Sequence, residues 1–344
     1  MAVAKAALLE LANRLVGRRG IAGIAVVDER GAAPQAVWIP TSTVEEPAYL
    51  AYSITKTFTA ALVLQLRDQR RLALDDRLGR WFSSVPGSDR ISLRQLLNHT
   101  AGIPDYGALA SYHEAVRASP ASAWSFERFA AETFDKGLQF EPGSSWAYSN
   151  PGYMLLRRIA EASAGTSWAL MIRDRIARPL GLHRTFVAES LEDLAQLAPA
   201  TSRALAPDAA PRDVREHYHP GWVSHGVVAS TPSEIARFFD ALFGGALLSP
   251  QSRQDMTTLV PIGPVGEAAA RWRRPSYGLG IMGDPESDFG PLWGHNGGGP
   301  GYTTSALHAP DLRGITVCAM CAFEGEIDAE RIVFTVLDTL RRAP

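Results

Sequence analysis

Ser53 and Lys56 open an apolar segment, AYSITKTFTAALVLQL, that runs from Ala51 to Leu66. Their spacing places a hydroxyl and an amine on one helical face, a turn apart. Backbone N–H groups at a helix N-terminus favour negative charge and could stabilise the oxyanion that forms when a serine becomes acylated. A lysine in an apolar site loses its proton more readily than a solvated one, so Lys56 could act as the base. The pair therefore indicates nucleophilic catalysis.

Chance is the main alternative, because Ser-x-x-Lys is expected about once in a chain of this length. The composition argues against chance here. The chain has 34 Lys and Arg residues, and its only lysines are Lys5, Lys56 and Lys136. Arginine stays protonated in proteins whereas lysine can lose its proton. A lysine at position 56 is thus better explained by chemistry than by a need for surface charge.

Tyr148 and Asn150 lie two residues apart in FEPGSSWAYSNPGY, a Pro- and Gly-rich turn before a predicted helix. A phenol and an amide at this spacing in a loop can reach the same cleft. The alternative is a core aromatic beside a helix cap, since Pro151 would suit the first turn of the helix.

His295, Gly297 and Gly298 lie in WGHNGGGPGY, which is predicted to form a strand. Glycines in a strand allow a ligand or another backbone to approach closely. The alternative is a glycine-rich hairpin that happens to contain a histidine.

The elements that must position these residues follow an informative order. Strands are predicted near both ends of the chain, in GIAGIAVVDERG, QAVWIP, PLWGHNGG, GYTTSALHAP and GITVCAMCAF, and helices dominate between them. Short turns join the late strands, so the sheet should be antiparallel, with a helix from each terminus on one face. We expect an α/β domain from residues 1–73 and 222–344, an inserted helical domain from 74–221, and the site in the cleft between them. The stretch ALAPDAAPRDVREHYHP is predicted to be a surface loop.

Composition narrows the class of protein. The chain has 344 residues, is 46% hydrophobic, and carries a formal net charge of −2, which favours neither nucleic acid nor an anionic membrane as partner. The first residues predict an amphipathic helix rather than a secretory signal, so we expect a cytoplasmic protein, or an exported one if a leader precedes this sequence.

Cys318 and Cys321 are three apart in a predicted strand and should point to opposite faces, which argues against a thiol pair.

Taken together, Ser-x-x-Lys, Tyr-x-Asn and His-x-Gly, in this order, resemble the marks of the penicillin-recognising serine hydrolases. The chain is similar to the class C β-lactamase group, with its D-Ala-D-Ala carboxypeptidases and β-lactamase-like carboxylesterases. The similarity extends to ISLRQLLNHTAGIPDY, RIARPLGLHRTF and HGVVASTPSEIARFFDALFGGALLSP, and covers most of residues 50 to 320. It implies a β-lactamase/transpeptidase-like fold.

The resemblance also implies roles. Ser53 would be the nucleophile, and Lys56 and Tyr148 would share general-base and general-acid duty. Asn150 would hold Lys56 and the acyl side chain. The remaining roles fall to the strand and to backbone donors: His295 and Gly297 would flank the cleft, and the N–H groups of Ser53 and Gly298 would form the oxyanion hole.

The strand departs from the Lys-Thr-Gly of class C β-lactamases, where Lys and Thr help to bind the substrate carboxylate. We expect Asn296 to offer an amide in place of the hydroxyl, and His295 to supply a positive charge only below about pH 6.5. The departure favours an esterase or amidase that acts on small molecules without a cofactor. A D-Ala-D-Ala carboxypeptidase and a class C-like β-lactamase stay open as alternatives.

Two rival classes stay open as well. His217, His219 and His225 could ligate zinc, although no carboxylate partner is evident and these residues, with Tyr218 and Trp222, could instead line the cleft. A non-catalytic binder of the same fold would become acylated and never turn over. An α/β-hydrolase is excluded by the lack of Gly-x-Ser-x-Gly. The sequence does not indicate the oligomeric state.

Overall fold

The computed structural model describes residues 5–17, 20–41, 45–206, 210–263, 271–324 and 328–342. Its α-helices are α1 Lys5–Val16, α2 Thr55–Asp68, α3 Leu93–Leu97, α4 Ala110–Ala118, α5 Phe126–Phe134, α6 Asn150–Ala164, α7 Trp168–Ile172, α8 Arg178–Leu180, α9 Leu191–Leu194, α10 Val214–His217, α11 Pro232–Gly244, α12 Pro250–Thr257 and α13 Ala329–Arg342. Its strands are β1 Ile21–Val27, β2 Gln35–Ile39, β3 Tyr49–Leu50, β4 Phe186–Ala188, β5 Thr201–Ser202, β6 Arg212–Asp213, β7 Val227–Ser230, β8 Val260–Pro261, β9 Ser276–Tyr277, β10 Met282–Ser287, β11 Gly290–Gly299, β12 Tyr302–Ala309 and β13 Ile315–Ala322.

The largest sheet has eight strands in the order β2-β1-β13-β12-β11-β10-β9-β8, and every neighbouring pair is antiparallel. Strands β1 and β2 come from the start of the chain and the other six from its last third. The ends of the chain therefore build one sheet, with β1 hydrogen-bonded to β13. The prediction of a mixed α/β fold around an antiparallel sheet is confirmed.

Helices cover both faces of this sheet. On one face α1 and α13 pack against β2, β12 and β13, and on the other α11 packs against β1, β12 and β13. Each face has its own apolar core, and strand alternation divides β13 between them: Cys318 belongs to one core and Cys321 to the other. The two thiols point in opposite directions, as the strand pattern predicts.

Helix α2 runs through the larger core and is buried along most of its length. It packs against α6, which in turn packs against α3 and α5. Residues 74–221 contain α3 to α10 together with the short strands β4 to β6. The segment is thus mostly helical, and its standing as a separate domain stays a prediction.

The stretch from residue 204 to 220 is not simply a surface loop. In its described part, β6 pairs with β5, and α10 buries Val214 while the following Tyr218 is buried too. These elements are too short to show a hydrophobic periodicity, so the buried positions could not be predicted from the sequence. Among the described helices, none is both long and apolar enough to cross a membrane.

Candidate active site

Ser53 lies in a 3₁₀ turn, Tyr52–Ile54, that runs directly into α2. The residue before it, Tyr52, has a φ of 45°, in the left-handed region that side chains other than glycine rarely adopt. The Tyr52 hydroxyl donates to the carbonyl of Pro300 at 2.7 Å, and the N–H of Ala51 donates to Val228 at 2.8 Å. Contacts on both sides therefore hold the turn that presents Ser53.

Lys56 is fully buried one turn into the helix, and its amine touches three polar side chains. Nζ lies 3.1 Å from Ser53 Oγ, 2.7 Å from Asn150 Oδ1 and 2.8 Å from His225 Nε2. The sequence brings Ser53 and Lys56 together locally, and the fold adds Asn150 from the start of α6 and His225 from the segment before β7. The three contacts equal in number the three N–H donors of the ammonium form of lysine.

Burial lowers the pKa of Lys56 well below its ordinary value, and the negative charge of Asp105 opposes this shift. Desolvation disfavours the charged form of a lysine, so the neutral amine is favoured in the folded protein. Neutral Lys56 carries a lone pair that can receive a proton. The structure thus provides the physical condition for a lysine base.

Asp105 holds Asn150 in place and is a residue that sequence reasoning missed. Its carboxylate accepts the backbone N–H of Asn150 at 2.8 Å and the side-chain amide at 3.2 Å. The amide must then point its oxygen at Lys56. Ser149 caps α6 by accepting the N–H of Gly152 at 3.1 Å, which fixes the start of the helix that carries Asn150.

The ring centroid of Tyr148 lies 4.8 Å from Lys56 Nζ. Burial raises the pKa of Tyr148 above its ordinary value, and the nearby Ser53 side chain opposes the shift. His99, also missed from the sequence, lies behind Tyr148 with ring centroids 4.3 Å apart, and its Nδ1 accepts the N–H of Ser149 at 3.1 Å. Tyr148 is therefore a protonated phenol held between the serine and a buried imidazole.

His295 is buried rather than free in the cleft. Its Nε2 lies 2.8 Å from the Tyr277 hydroxyl and its Nδ1 lies 2.6 Å from the Asn296 carbonyl. Burial, with a further contribution from Lys56, lowers the pKa of His295 to about 3. The expectation that His295 becomes charged below about pH 6.5 is wrong, because burial disfavours the charged form of the imidazole.

Asn296 points to the other face of β11, where its amide donates to Glu330. The amide expected in place of the Lys-Thr-Gly hydroxyl is thus engaged with Glu330, on the face of the strand opposite to His295 and Gly297. Gly297 faces the serine turn: a Cβ at this position would lie 3.0 Å from the backbone nitrogen of Ser53. Gly298 lies in open space beside the same turn.

A cavity of about 380 Å³ opens over Ser53. Aromatic side chains form much of its wall, and Glu324 is the one carboxylate among the lining residues. The lining residues are Tyr52, Ser53, Tyr106, Gly107, Tyr112, His113, Val116, Asn150, Ala204, Tyr218, Trp222, Val223, His225, Gly298, Gly299, Pro300 and Glu324. No lysine or arginine is among these described residues, and Tyr218, Trp222 and His225 line the cavity whereas His217 and His219 do not.

The three histidines considered for zinc are directed to different partners. His217 Nδ1 contacts the Asp213 carbonyl, His219 Nδ1 accepts the N–H of Gly221, and His225 contacts Lys56. Within the described ranges, no cluster of three or more His, Cys, Asp or Glu side chains could hold a metal ion.

The sequence matches the family model described as Beta-lactamase over residues 9–337. Penicillin-binding protein 4* of Bacillus subtilis is 29% identical over 278 residues, which are 76% of this chain and 58% of that protein. The D-aminopeptidase of Gluconobacter oxydans is 31% identical over 141 residues, 40% of this chain and 25% of that protein. The chain thus spans between a quarter and three fifths of the length of these relatives.

Solved structures share the fold over nearly the whole chain. A D-stereospecific amidohydrolase from a Streptomyces species aligns with a TM-score of 0.82 and 27% identity, covering 96% of this chain and 98% of the other. The D-amino acid amidase of Ochrobactrum anthropi aligns with a TM-score of 0.79 and 22% identity over 98% of this chain and 96% of the other. The chain belongs to the β-lactamase family and has the β-lactamase fold.

Proposed function

We propose that this chain hydrolyses small esters or amides through an acyl-enzyme on Ser53. The observation that carries the proposal is the contact of Ser53 Oγ with Lys56 Nζ at 3.1 Å beneath a cavity of about 380 Å³. A nucleophile within hydrogen-bond reach of a buried base, at the floor of a ligand-sized cavity, is the arrangement that acyl transfer requires.

Lys56 is the base in this mechanism. As Ser53 Oγ attacks the substrate carbonyl carbon, its proton passes to the neutral Lys56 amine, and the carbonyl π electrons move onto oxygen. Burial raises the pKa of Tyr148, so its phenol keeps its proton and a phenolate base is disfavoured. Tyr148 instead relays a proton to the leaving group as the tetrahedral intermediate collapses, and Lys56 restores that proton.

Backbone donors stabilise the oxyanion in this proposal. Ser53 and Gly298 both line the cavity, and Gly297 lies against the backbone nitrogen of Ser53. The N–H groups of Ser53 and Gly298 are the candidates for the two donors. Water then attacks the acyl carbonyl, and the same groups move protons in the reverse direction to release the acid.

The cavity wall favours substrates without a carboxylate. No lysine or arginine lines its described part, and His295, with a pKa of about 3, is neutral at physiological pH. A charge-assisted hydrogen bond contributes about 1.5–3 kcal/mol, roughly tenfold to a hundredfold in specificity, and this site lacks the cation for it. Penicillins and cephalosporins, which carry a carboxylate, should therefore be poor substrates.

Amides are a specific alternative to esters within this proposal. The Streptomyces amidohydrolase is D-stereospecific by name and is similar over almost the whole chain, and the Gluconobacter relative is a D-aminopeptidase. The Glu324 carboxylate in the cavity wall is compatible with a substrate that carries a free amine. We therefore expect D-amino-acid amides to compete with short-chain esters as the better substrates.

Labelling with a fluorophosphonate tests the nucleophile. Mass spectrometry should find one adduct, on the peptide that contains Ser53, and Ser53→Ala should be neither labelled nor active. Labelling at another residue, with activity intact in Ser53→Ala, would show that the acyl-enzyme forms elsewhere.

A substrate panel tests the class. We expect higher kcat/KM for p-nitrophenyl butyrate or D-phenylalanine p-nitroanilide than for nitrocefin. Nitrocefin at or above both would contradict the argument from the missing cation. A stoichiometric burst with no later turnover on every substrate would identify an acylated binder instead of a hydrolase.

A further inference from the structure

His225 contacts the catalytic lysine from outside the three motifs. It is 1% exposed and lies in the short segment between the 3₁₀ turn Pro220–Trp222 and β7. The next residue, Gly226, has a φ of 83°, a left-handed conformation that turns the chain from the histidine into the strand. Among the described residues, Lys56 is the one side chain to which the ring is hydrogen-bonded.

The number of protons on the amine makes this contact informative. Neutral Lys56 has two N–H donors and one lone pair, and it faces Asn150 Oδ1, His225 Nε2 and Ser53 Oγ. The Asn150 oxygen can only accept, so it takes one N–H. The second N–H and the lone pair must then be divided between Ser53 and His225.

Only one of the two divisions allows catalysis. If His225 Nε2 accepts the second N–H, the lone pair faces the Ser53 hydroxyl and can take its proton. If His225 donates from Nε2, its N–H occupies the lone pair, and the remaining amine proton points at Ser53 Oγ. The amine would then act as a donor to the serine and could not be its base.

We infer that His225 is a positioning residue for the Lys56 base, with an unprotonated Nε2 that accepts one amine proton and leaves the lone pair to Ser53. The inference rests on the proposed acyl-enzyme mechanism. It also holds after proton transfer, because the ammonium form then donates its three protons to Asn150, His225 and the Ser53 oxygen. Burial lowers the pKa of His225 well below its ordinary value, and a proton on Lys56 would lower it further, so the ring stays neutral and able to accept.

The tautomer can be measured directly in the wild-type protein. In ¹⁵N NMR of imidazole-labelled protein near pH 7.5, the His225 signals are assigned by their loss in His225→Gln. We expect Nε2 to be the unprotonated nitrogen and Nδ1 to carry the proton. A protonated Nε2 would overturn the inference, whether or not the protein turns over a substrate.

Acylation kinetics give a second test. In His225→Leu the second amine proton can turn to Ser53 Oγ, so the saturating acylation rate with p-nitrophenyl butyrate should fall by about tenfold to a hundredfold. His225→Gln offers an oxygen close to the Nε2 position and should keep most of the rate. His308→Leu is the matched control, because His308 is also 1% exposed but lies on β12 against Thr316.

The outcomes separate the two proposals. Wild-type rates in His225→Leu would overturn the positioning role while leaving the acyl-enzyme intact. Equal losses in the Leu and Gln variants would also overturn it, since the acceptor would then not be what matters. If the wild-type serine is never acylated, the proposed function fails, and the tautomer alone decides whether His225 orients the amine.

Discussion

At the scale of single residues, the fold favours the neutral amine of Lys56, which can act as a base, over the ammonium form that predominates in water. A buried ammonium group is costly, and the negative charge of Asp105 compensates for only part of that cost. The neutral amine is the cheaper state. Burying a lysine at position 56 thus lowers the free energy of unfolding but provides a base.

The cost of burying this lysine predicts that Lys56→Met and Lys56→Arg change stability in opposite directions. Lys56→Met removes the base, and turnover should fall on the order of 10²–10⁴-fold. Its free energy of unfolding relative to wild type should increase as the pH falls below about 10.5. The reason is that the unfolded wild type binds a proton at Lys56 up to about pH 10.5, whereas the folded protein, with its lowered pKa, does not.

The advantage of the Met variant should therefore shrink as pH rises toward 10.5, by up to about 1.4 kcal/mol per pH unit. Urea denaturation at pH 7 and pH 9.5 measures it. Lys56→Arg is the matched control: guanidinium cannot shed its proton, so this variant should be inactive and less stable than wild type at both pH values. An active Arg variant would show that position 56 supplies only charge.

Sequence reasoning reaches some of these residues and not others. Ser53 and Lys56 are three residues apart where the 3₁₀ turn runs into α2, so their contact could be predicted from spacing alone. Asp105 and His225 meet them only after the chain has folded, and neither carries a local motif. The burial of His295, which lowers its pKa, could not be predicted either, because Tyr277 and the other residues around the ring meet it only in the folded chain.

At the scale of elements, the site depends on how closely β11 approaches the serine turn. Gly297 lies opposite Thr304 on β12, and the Thr304 hydroxyl donates to the Ala51 carbonyl at 3.0 Å. The strand pair and the turn are therefore joined at the residue that permits the closest contact. Strand β11, and a close approach at its glycines, could be predicted from the sequence. Two-residue strands such as β3 show no periodicity and could not be predicted.

Neighbouring glycines offer a matched test of this approach. In Gly297→Ala the new methyl group would overlap the Ala51 carbonyl oxygen and lie 3.0 Å from the nitrogen of Ser53, whereas a Cβ at Gly298 meets nothing within 4 Å. We expect Gly297→Ala to lose about 1–3 kcal/mol of stability and most of its rate of fluorophosphonate labelling. Gly298→Ala should unfold at the wild-type temperature. Equal melting temperatures for the two variants would mean that β11 does not need this contact.

At the scale of the whole molecule, the two ends of the chain close one sheet, and the region that carries the site packs against one of its faces. Such a core buries ionisable groups that have no role in catalysis. His308 on β12 is one: its Nδ1 lies 2.8 Å from Thr316 Oγ1, and its ring stacks on Phe243 with centroids 5.0 Å apart. Burial, with a smaller effect of Arg30, lowers the pKa of His308 to about 4.

Buried neutral imidazoles should make the fold sensitive to acid. His99, His225, His295 and His308 all have lowered pKa values in the folded chain. Below about pH 6.5 the unfolded state binds protons that the folded state refuses, so the free energy of unfolding falls as the pH decreases. Stability should be fully present above that pH and decline by up to about 1.4 kcal/mol per pH unit for each such histidine.

His308→Asn isolates one of these contributions away from the active site. Asparagine can keep a hydrogen bond to Thr316 but takes up no proton, so the variant should lose less stability than wild type between pH 6.5 and pH 4, by up to about 1.4 kcal/mol per pH unit. His183→Asn, at an exposed position, serves as the control and should follow the wild-type curve. Urea denaturation at several pH values across this interval gives the slopes. Parallel curves for wild type and His308→Asn would mean that His308 takes up its proton as readily in the folded sheet as in the unfolded chain.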